Sequence, residues 1–429
     1  MPAPSHSSAD VQPSRAAWVG LAVLTLINML NYLDRLLVPA VGESIIHSEL
    51  QLSDTQFGWL ASAFLLVYMV TAPFFGALGD RQSRPRLIAG GVAVWSVATA
   101  LAGLAHSYPA LLGARALVGV GEASYSAIAP ALLADYFPPR LRGRVYAVFY
   151  SATPVGSALG YIVGGLLDRR FGWRGAFFAA GLPGLLLALA SLWLVDPPRG
   201  QSDGDAGAPA TGARLSVWRT YLDFRRNRTF VLTVLGYAAY TFALGGLAVW
   251  MPAFLIRVRH VPAPQATVQL GTVLVATGFA GTFLGGWVGD LLLTRTRNAY
   301  LWLSGVTALA AAPLGYLALA SPTPVVYWTG LVLAELLLFA STSPVNSVIV
   351  NAVAPQMRAA AMAACIFLIH VLGDVPSPSI IGFISTVRGL SAALVIVPVA
   401  IAISGLIWLY AAYSISPAAH PLPSTAPAR

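Results

Sequence analysis

Lysine is absent from this sequence, cysteine occurs once, and charged side chains of every kind are scarce. The single cysteine, Cys365, excludes an intramolecular disulfide. Charged residues make up 10% of the 429 residues, against about 25% in a typical soluble domain. This deficit excludes a soluble globular enzyme, a disordered protein and a nucleic-acid-binding protein.

Several sequence motifs of catalysis and of targeting are missing as well. The chain has no HExxH motif, no glycine-rich phosphate loop and no cluster of Cys and His with metal-ligand spacing. We therefore expect no enzyme activity, no metal site and no cofactor. No short apolar segment near the N-terminus ends in a small-residue cleavage site, so we expect no signal peptide.

Hydrophobic residues, in contrast, make up 57% of the chain, and they are grouped in long runs. A membrane-spanning helix needs about 20 mostly apolar residues. Runs of that length predict an all-α membrane protein with twelve transmembrane helices, called spans 1 to 12 here, at 16–46, 53–78, 86–106, 108–136, 142–167, 173–195, 229–256, 266–292, 298–320, 324–352, 357–385 and 389–413.

The polar segments between the spans predict the domain organisation and the topology. We expect an N-terminal tail (1–15), a first six-helix half (16–195), a linker (196–228), a second six-helix half (229–413) and a C-terminal tail (414–429). With the N-terminus in the cytoplasm, 17 arginines lie on the cytoplasmic side and 6 on the opposite side. The positive-inside rule therefore places both termini and the linker in the cytoplasm of a multi-pass protein of the inner or cell membrane.

Two short motifs recur in both predicted halves. Span 2 ends in Gly76-Ala-Leu-Gly79-Asp80, and span 8 ends in Gly286-Trp-Val-Gly289-Asp290, 210 residues later. A PxxR motif precedes span 5 at Pro139 and recurs before span 11 at Pro355, 216 residues later. Two repeats at nearly the same offset indicate a duplicated six-helix unit, an arrangement that binds substrate near the middle of the membrane.

The stretch from Gly76 to Arg86, GALGDRQSRPR, resembles the loop signature of the major facilitator superfamily. The match is partial, because Ser83 and Pro85 stand where the family has glycine and a basic residue. The stretch from Arg115 to Ala123 resembles the span 4 signature of proton-linked members. The resemblance implies a major facilitator fold and transport of a small molecule.

Four further segments resemble the Spinster-type lipid transporters. They are NYLDR at 31–35, GVGEASY at 119–125, GGLAVWMPAFL at 245–255 and HVLGDVPSP at 370–378. This resemblance implies a proton-coupled carrier of lysophospholipids or of lipids like sphingosine-1-phosphate. We expect it to act as a monomer in the bilayer, with protons and a small-molecule or lipid substrate as its partners.

Seven charged or histidine residues lie well inside the predicted spans, away from the span ends: Asp34, Arg35, Arg115, Glu122, Glu335, His370 and Asp374. Each costs about 2.5–3.5 kcal/mol at the bilayer centre, which marks it as a functional candidate. We predict that Asp34 and Glu122 bind protons, and that the arginines bind an anionic head group through their planar guanidinium groups. The alternative is a static charge network that holds spans 1 and 4 together.

His370 and Asp374 are four residues apart, so they share one face of a helix and are predicted to bind substrate. The same role is predicted for Glu335, which is inside span 10. It is also predicted for the aromatic residues Tyr32 and Trp250, which are in the segments that resemble the Spinster-type transporters. The charged residues at the cytoplasmic ends are predicted to form ion-pair gates: Asp80, Arg81, Arg142 and Arg144 in the first half, and Asp290 and Arg358 in the second.

Two other substrate classes remain open at this level. A carrier of a hydrophilic organic anion or sugar acid needs a cavity that is polar all round. A multidrug exporter needs acids that face a cationic drug, and Arg35 and Arg115 matter little for it. A channel is less consistent with the sequence, because an internal twofold repeat suits alternating access better than a pore.

Overall fold

The protein is described here from a computed structural model, which describes residues 13–79, 81–199, 201–203, 224–353 and 357–414. These ranges are helical, with short connections and no β-strand. A continuous apolar sequence favours this outcome, because a helix satisfies its backbone hydrogen bonds within one segment. Helix starts carry the expected caps: the side chains of Ser14 and Ser107 accept hydrogen bonds from the amides of Ala17 and Ala110.

The first part of the described chain contains six α-helices. They are α1 (Arg15–Ala40), α2 (Gly42–Ile46), α3 (Asp54–Gly79), α4 (Arg84–Ala102), α5 (Tyr108–Tyr136) and α6 (Pro139–Ser191), followed by a 3₁₀ turn at Gln201–Asp203.

Eight α-helices follow in the second part of the described chain. They are α7 (Arg228–Arg257), α8 (Ala263–Leu293), α9 (Ala299–Ala320), α10 (Pro324–Asn351), α11 (Arg358–Ile369), α12 (Pro376–Arg388), α13 (Leu390–Leu394) and α14 (Ile396–Ser414). A π-helical turn, His370–Asp374, joins α11 to α12.

Eleven continuous helical stretches in the described residues are long and apolar enough to cross a membrane. One of them, Arg144–Ser191 in α6, has 48 residues, which at 1.5 Å per residue is more than twice the ~30 Å hydrocarbon core. This stretch is interrupted at Gly172, whose φ of 71° is a left-handed conformation that favours glycine. The kink separates spans 5 and 6, and the predicted fold of twelve transmembrane helices is confirmed.

A stripe of glycines on α6 brings this helix directly against α1. A Cβ atom at Gly160 would lie 2.5 Å from the Leu33 carbonyl oxygen, and one at Gly164 would lie 2.9 Å from the Ala40 Cβ. Only glycine permits this distance between the two backbones. The contact fixes the rotation of α1 about its own axis, and with it the directions in which Asp34 and Arg35 point.

The chain divides into two compact units. The first comprises Met1–Ala213 and Leu255–Thr272, and the second comprises Arg214–Phe254 and Val273–Arg429. In the first unit α1 packs on α6, and α5 packs on α3 and α4; in the second, α9 packs on α10 and α14. In the segment Leu255–Thr272 of the first unit, Arg257 forms ion pairs with Glu43 and Asp54.

Candidate functional site

A four-residue charge cluster lies inside the first unit, between α1 and α5. Arg35 Nε donates a hydrogen bond of 2.8 Å to Glu122 Oε2, and Arg115 Nη1 lies 3.5 Å from Asp34 Oδ2. Asp34, Arg115 and Glu122 are buried, with relative exposures of 1%, 2% and 0%. The four charges that the sequence predicted to be functional therefore meet at one site, and they form two crossed pairs.

Helix geometry explains why the pairs are crossed. Consecutive residues on a helix point about 100° apart, so Asp34 and Arg35 do not face each other. Arg115 and Glu122 are seven residues apart on α5, nearly two full turns, and they point the same way. Each charge of α1 therefore pairs with a charge of α5.

Aromatic rings surround the Arg35 side of the cluster. The guanidinium carbon of Arg35 lies 5.1 Å from the ring centre of Tyr32, 5.2 Å from Phe64 and 4.8 Å from Tyr68. Such cation–π contacts stabilise an arginine in a dry environment by about 0.5–2 kcal/mol each. Phe64 and Tyr68 were not predicted from the sequence. Their spacing of four residues on α3 puts them on one face but does not indicate which residue they contact.

The cluster is balanced in charge but not saturated in hydrogen bonds. Thr99 Oγ1 donates to Asp34 Oδ2 at 3.0 Å. The other oxygens, Asp34 Oδ1 and Glu122 Oε1, are buried and accept no hydrogen bond from the described residues, and Arg115 Nε donates none. Buried polar atoms of this kind are uncommon in folded proteins. The cluster therefore has hydrogen-bonding capacity left for a proton or a ligand.

His370 and Asp374 are the second pair of predicted site residues that contact each other. His370 Nδ1 lies 2.8 Å and 2.9 Å from the two carboxylate oxygens of Asp374, and both side chains are partly exposed. They occupy the two ends of the π-helical turn, a rare distortion that is frequent at functional sites. Thr241 Oγ1 lies 3.0 Å from the carbonyl oxygen of Ile369, the residue before the turn, and 3.0 Å from that of Ala238.

Two further predicted substrate-binding residues, Trp250 and Glu335, are on helices α7 and α10. Trp250 is fully buried, and its Nε1 donates to the Pro378 carbonyl at 3.0 Å. It packs within α7 and against the start of α12 in this structure. Glu335 of α10 has its Oε2 atom 3.0 Å from Thr277 Oγ1, within hydrogen-bond distance, and it lines a small apolar pocket.

The structure describes four of the six predicted gate residues in full. Asp80 lies outside the described residues, as does the Arg358 side chain; Arg81 and Arg144 are exposed. Arg142 donates to the carbonyls of Ala134 and Phe137 at the C-terminal end of α5. Asp290 accepts a hydrogen bond of 2.6 Å from the hydroxyl of Tyr300.

A buried ion-pair network at the ends of α4 and α5 was not expected from the sequence. Arg84 is 3% exposed, and it donates to Asp196 at 2.7 Å, to Asp135 at 2.5 Å and to the Pro197 carbonyl at 2.6 Å. Arg84 belongs to the GALGDRQSRPR loop, but its partners are 51 and 112 residues away in sequence. The network attaches the first residues of the predicted linker to the first unit.

Comparison with known proteins identifies the family to which this chain belongs. The Major Facilitator Superfamily profile matches residues 24–373. The chain is 37% identical over 395 residues to human Protein spinster homolog 1, covering 87% of this chain and 74% of that protein. The chain belongs to the Spinster family of the major facilitator superfamily. Protein spinster of Drosophila melanogaster is 33% identical over 381 residues, and the match covers 86% of this chain but only 62% of the fly protein.

A solved structure of the Spinster family shares the whole architecture. The inward-facing, unoccupied crystal structure of a bacterial homolog of the human lysosomal transporter Spinster aligns with a TM-score of 0.85 at 25% identity, covering 95% of this chain and 100% of that one. The nucleoside transporter NupG shares the fold at 13% identity, with a TM-score of 0.71. The resemblance in the sequence motifs is confirmed, and this Spinster-type chain is a multi-pass membrane transporter.

Proposed function

We propose that this Spinster-type transporter is a proton-coupled secondary carrier that moves an anionic amphiphile across the membrane by alternating access. The substrate is a lysophospholipid or a lipid like sphingosine-1-phosphate. The buried cluster of two acids and two arginines is the observation that carries this proposal. The energy source is the proton gradient, with no further cofactor.

Charge balance links the proton to the anion in this cluster. When all four side chains are ionised, the two positive and two negative charges cancel. A proton on Glu122 removes one negative charge and leaves Arg35 without an ionised partner. Arg35 is then available to an anionic head group, which its planar guanidinium binds in bidentate fashion. Arg115 and Asp34 repeat the same chemistry, with Arg115 nearly two turns from Glu122 along α5.

The linkage works in both directions, because thermodynamic coupling is reciprocal. A bound anion stabilises the protonated acid as much as the proton stabilises the bound anion. When the cluster holds both the proton and the anion, its charges balance again. A site without net charge costs least to bury while the transporter changes conformation. The aromatic rings around Arg35 support an amphiphile over a wholly polar solute.

The other predicted residues complete the proposal. His370, Asp374 and Tyr32 are proposed substrate-binding residues. The charged residues at the helix ends, Asp80, Arg81, Arg142, Arg144, Asp290 and Arg358, are proposed to open and close the cytoplasmic side. We place both termini in the cytoplasm because of the arginine bias and propose that the carrier works as a monomer.

Uptake into liposomes that contain the purified protein tests the function. The panel pairs lysophospholipids and sphingosine-1-phosphate with short organic phosphates and sugar acids, each with and without an imposed pH gradient. We expect the gradient to accelerate movement of the lipids alone. In Asp34→Asn and Glu122→Gln the acceleration should fall by about tenfold or more, within the usual range of coupling free energies.

Glu49→Gln is the matched control, because it removes a carboxylate that is exposed and outside the cluster. It should transport like the wild type. Gradient-dependent uptake of only the water-soluble anions would contradict the lipid assignment and favour a carrier of hydrophilic anions. Full coupling in both acid variants would contradict the proton-binding role of the cluster.

A further inference from the structure

Glu335 is an acidic side chain in the middle of a membrane-spanning helix, outside the charge cluster described above. It is the twelfth of the 28 residues of α10, which places it about 17 Å from the start of that helix at 1.5 Å per residue. The pocket that it lines is otherwise apolar, with Leu331, Leu338, Leu247 and Ile401 among the lining residues. An ionised carboxylate in such surroundings needs a compensating positive charge.

The described part of the second unit places no cation beside Glu335. The described arginine side chains of this unit are near helix ends, at Arg225, Arg226, Arg228, Arg295, Arg297 and Arg388. His370 is already in contact with Asp374. Tyr240 interacts electrostatically with Glu335, but a tyrosine supplies no positive charge. Its hydroxyl donates to the Leu338 carbonyl at 3.0 Å. Without a counter-charge, the neutral acid is the stable form.

The hydrogen bonds of Thr277 also indicate that Glu335 is protonated, because Thr277 has too few hydrogens to donate in both of its contacts. Thr277 Oγ1 lies 2.7 Å from the Val273 carbonyl oxygen and 3.0 Å from Glu335 Oε2. A hydroxyl group has one hydrogen to donate. The shorter contact is the usual bond from a threonine to the carbonyl four residues earlier in its helix. The hydrogen between Thr277 and Glu335 is then supplied by the carboxylic acid.

We infer that Glu335 is a second proton-binding site of this transporter, located in the second unit and formed with Thr277. The carboxylic acid donates its hydrogen to Thr277 Oγ1, and Thr277 donates to the Val273 carbonyl. When water enters the pocket, the carboxylate becomes stable and the proton leaves to water. This site replaces the substrate-binding role that the sequence suggested for Glu335, and it does not depend on the roles proposed for Asp34 and Glu122.

Infrared spectroscopy of the purified protein in liposomes tests this inference without a substrate. A protonated carboxyl group has its own C=O stretching band, which shifts in D₂O. We expect this band at neutral pH in the wild type and its loss in Glu335→Gln, a change that preserves side-chain volume. We also expect the band to disappear reversibly at alkaline pH.

Three further variants make the assignment specific. Thr277→Val should shift the band, because it removes the hydrogen-bond acceptor but keeps the shape. Glu43→Gln is the matched control: Glu43 is paired with Arg257, so its replacement should leave the protonated-carboxyl band unchanged. The band should persist in the Asp34→Asn, Glu122→Gln double variant, which separates this site from the proposed coupling cluster.

Two outcomes would overturn the inference. If Glu335→Gln loses no protonated-carboxyl band, Glu335 is ionised and the hydrogen count is wrong. If the band is lost in the variant but persists in the wild type at every alkaline pH, Glu335 is a permanently neutral structural acid and not a proton carrier. A monodisperse elution profile of each variant confirms that the comparison is made between folded proteins.

Discussion

The arginine that donates to Glu122 is held by one strong, directional contact and by three aromatic rings. Arg35 Nε and Glu122 Oε2 are 2.8 Å apart, and Glu122 is fully buried. Removing one partner of a buried ion pair leaves the other charge without compensation, which costs more than removing both. The pair is therefore sensitive to single substitutions and tolerant of matched double ones.

Substitutions of Arg35 and Glu122 should have a strongly non-additive effect on stability. Arg35→Gln should destabilise the folded protein by about 3–5 kcal/mol, because it leaves the Glu122 carboxylate unpaired in the interior. Adding Glu122→Gln should recover most of that loss. Thermal unfolding of the purified variants in detergent measures the double-mutant cycle. Equal midpoints for the single and double variants would mean that Glu122 is not ionised when it pairs with Arg35.

At the scale of the helical elements, small residues decide how closely the charge-bearing helices pack. Gly91 of α4 faces α5, where a Cβ atom would lie 2.7 Å from the Gly121 carbonyl oxygen and 2.7 Å from the Ser124 Cβ. Gly121 immediately precedes Glu122. The α4–α5 contact therefore sets the position of a cluster residue without touching it.

Adjacent glycines in α4 supply a matched test of this contact. Gly91→Ala should destabilise the protein by about 1–3 kcal/mol, since the new methyl group meets backbone that has no room to move. Gly90→Ala should be neutral or stabilising by up to about 1 kcal/mol, because nothing lies within 4 Å of its Cβ and alanine favours a helix. Unfolding midpoints of the two variants check the prediction, which fails if they are equal.

An ion pair also connects the loop between α2 and α3 to α6. The hydrogen bond from the Arg174 guanidinium lowers the pKa of the Glu49 carboxyl below its ordinary value. Arg174 also donates to the Gly103 carbonyl at 2.8 Å, and His106 lies 3.4 Å from the same side chain. A group with a lowered pKa in the folded state contributes stability above its unfolded pKa and loses that contribution as the pH falls.

The pH dependence of this pair can be measured directly. The wild type should be more stable than Glu49→Gln near neutral pH. The difference should shrink as the pH falls from about 4.3, the ordinary pKa of glutamate, through the lower pKa of Glu49 in the folded protein. The effect should be small and weakened by salt, because Glu49 is exposed. Unfolding midpoints across pH would contradict the assignment if the difference between the two proteins stayed constant.

At the scale of the whole molecule, the division into units does not follow the chain alone. The segment Leu255–Thr272 groups with the first unit, although its neighbours on both sides belong to the second. Arg257 is central to this grouping: its Nε donates to Glu43 at 2.7 Å, and its Nη1 donates to Asp54 at 2.8 Å. Thr267, which is in the same segment, lies against Gly165 of α6.

Breaking the contacts of Arg257 should therefore loosen one segment of the molecule. In Arg257→Gln we expect faster amide hydrogen exchange across Leu255–Thr272 and across α2, whose Glu43 loses its partner. Exchanging the charges, with Arg257→Glu and Glu43→Arg, should restore part of the protection. Arg388→Gln is the control, because it removes an exposed arginine at the end of α12. Unchanged exchange in Arg257→Gln would show that packing alone holds the segment.

The sequence by itself determined the twelve spans and the identity of the intramembrane charges. Both are local properties: hydropathy marks a span, and a charge within a span stands out wherever the helix packs. The seven-residue spacing of Arg115 and Glu122 was equally readable, because it depends only on the helical repeat.

The tertiary structure decided which groups meet. Arg35 pairs with Glu122 and not with its neighbour Asp34, and Thr277 meets Glu335 across 58 residues of chain. Phe64 and Tyr68 contact Arg35, whereas Trp250 is buried against Pro378. Helical periodicity gives the face on which a side chain lies, but the neighbour of that face depends on how helices distant in sequence pack. Side-chain volume, and glycines such as Gly160 that allow close approach, determine that packing.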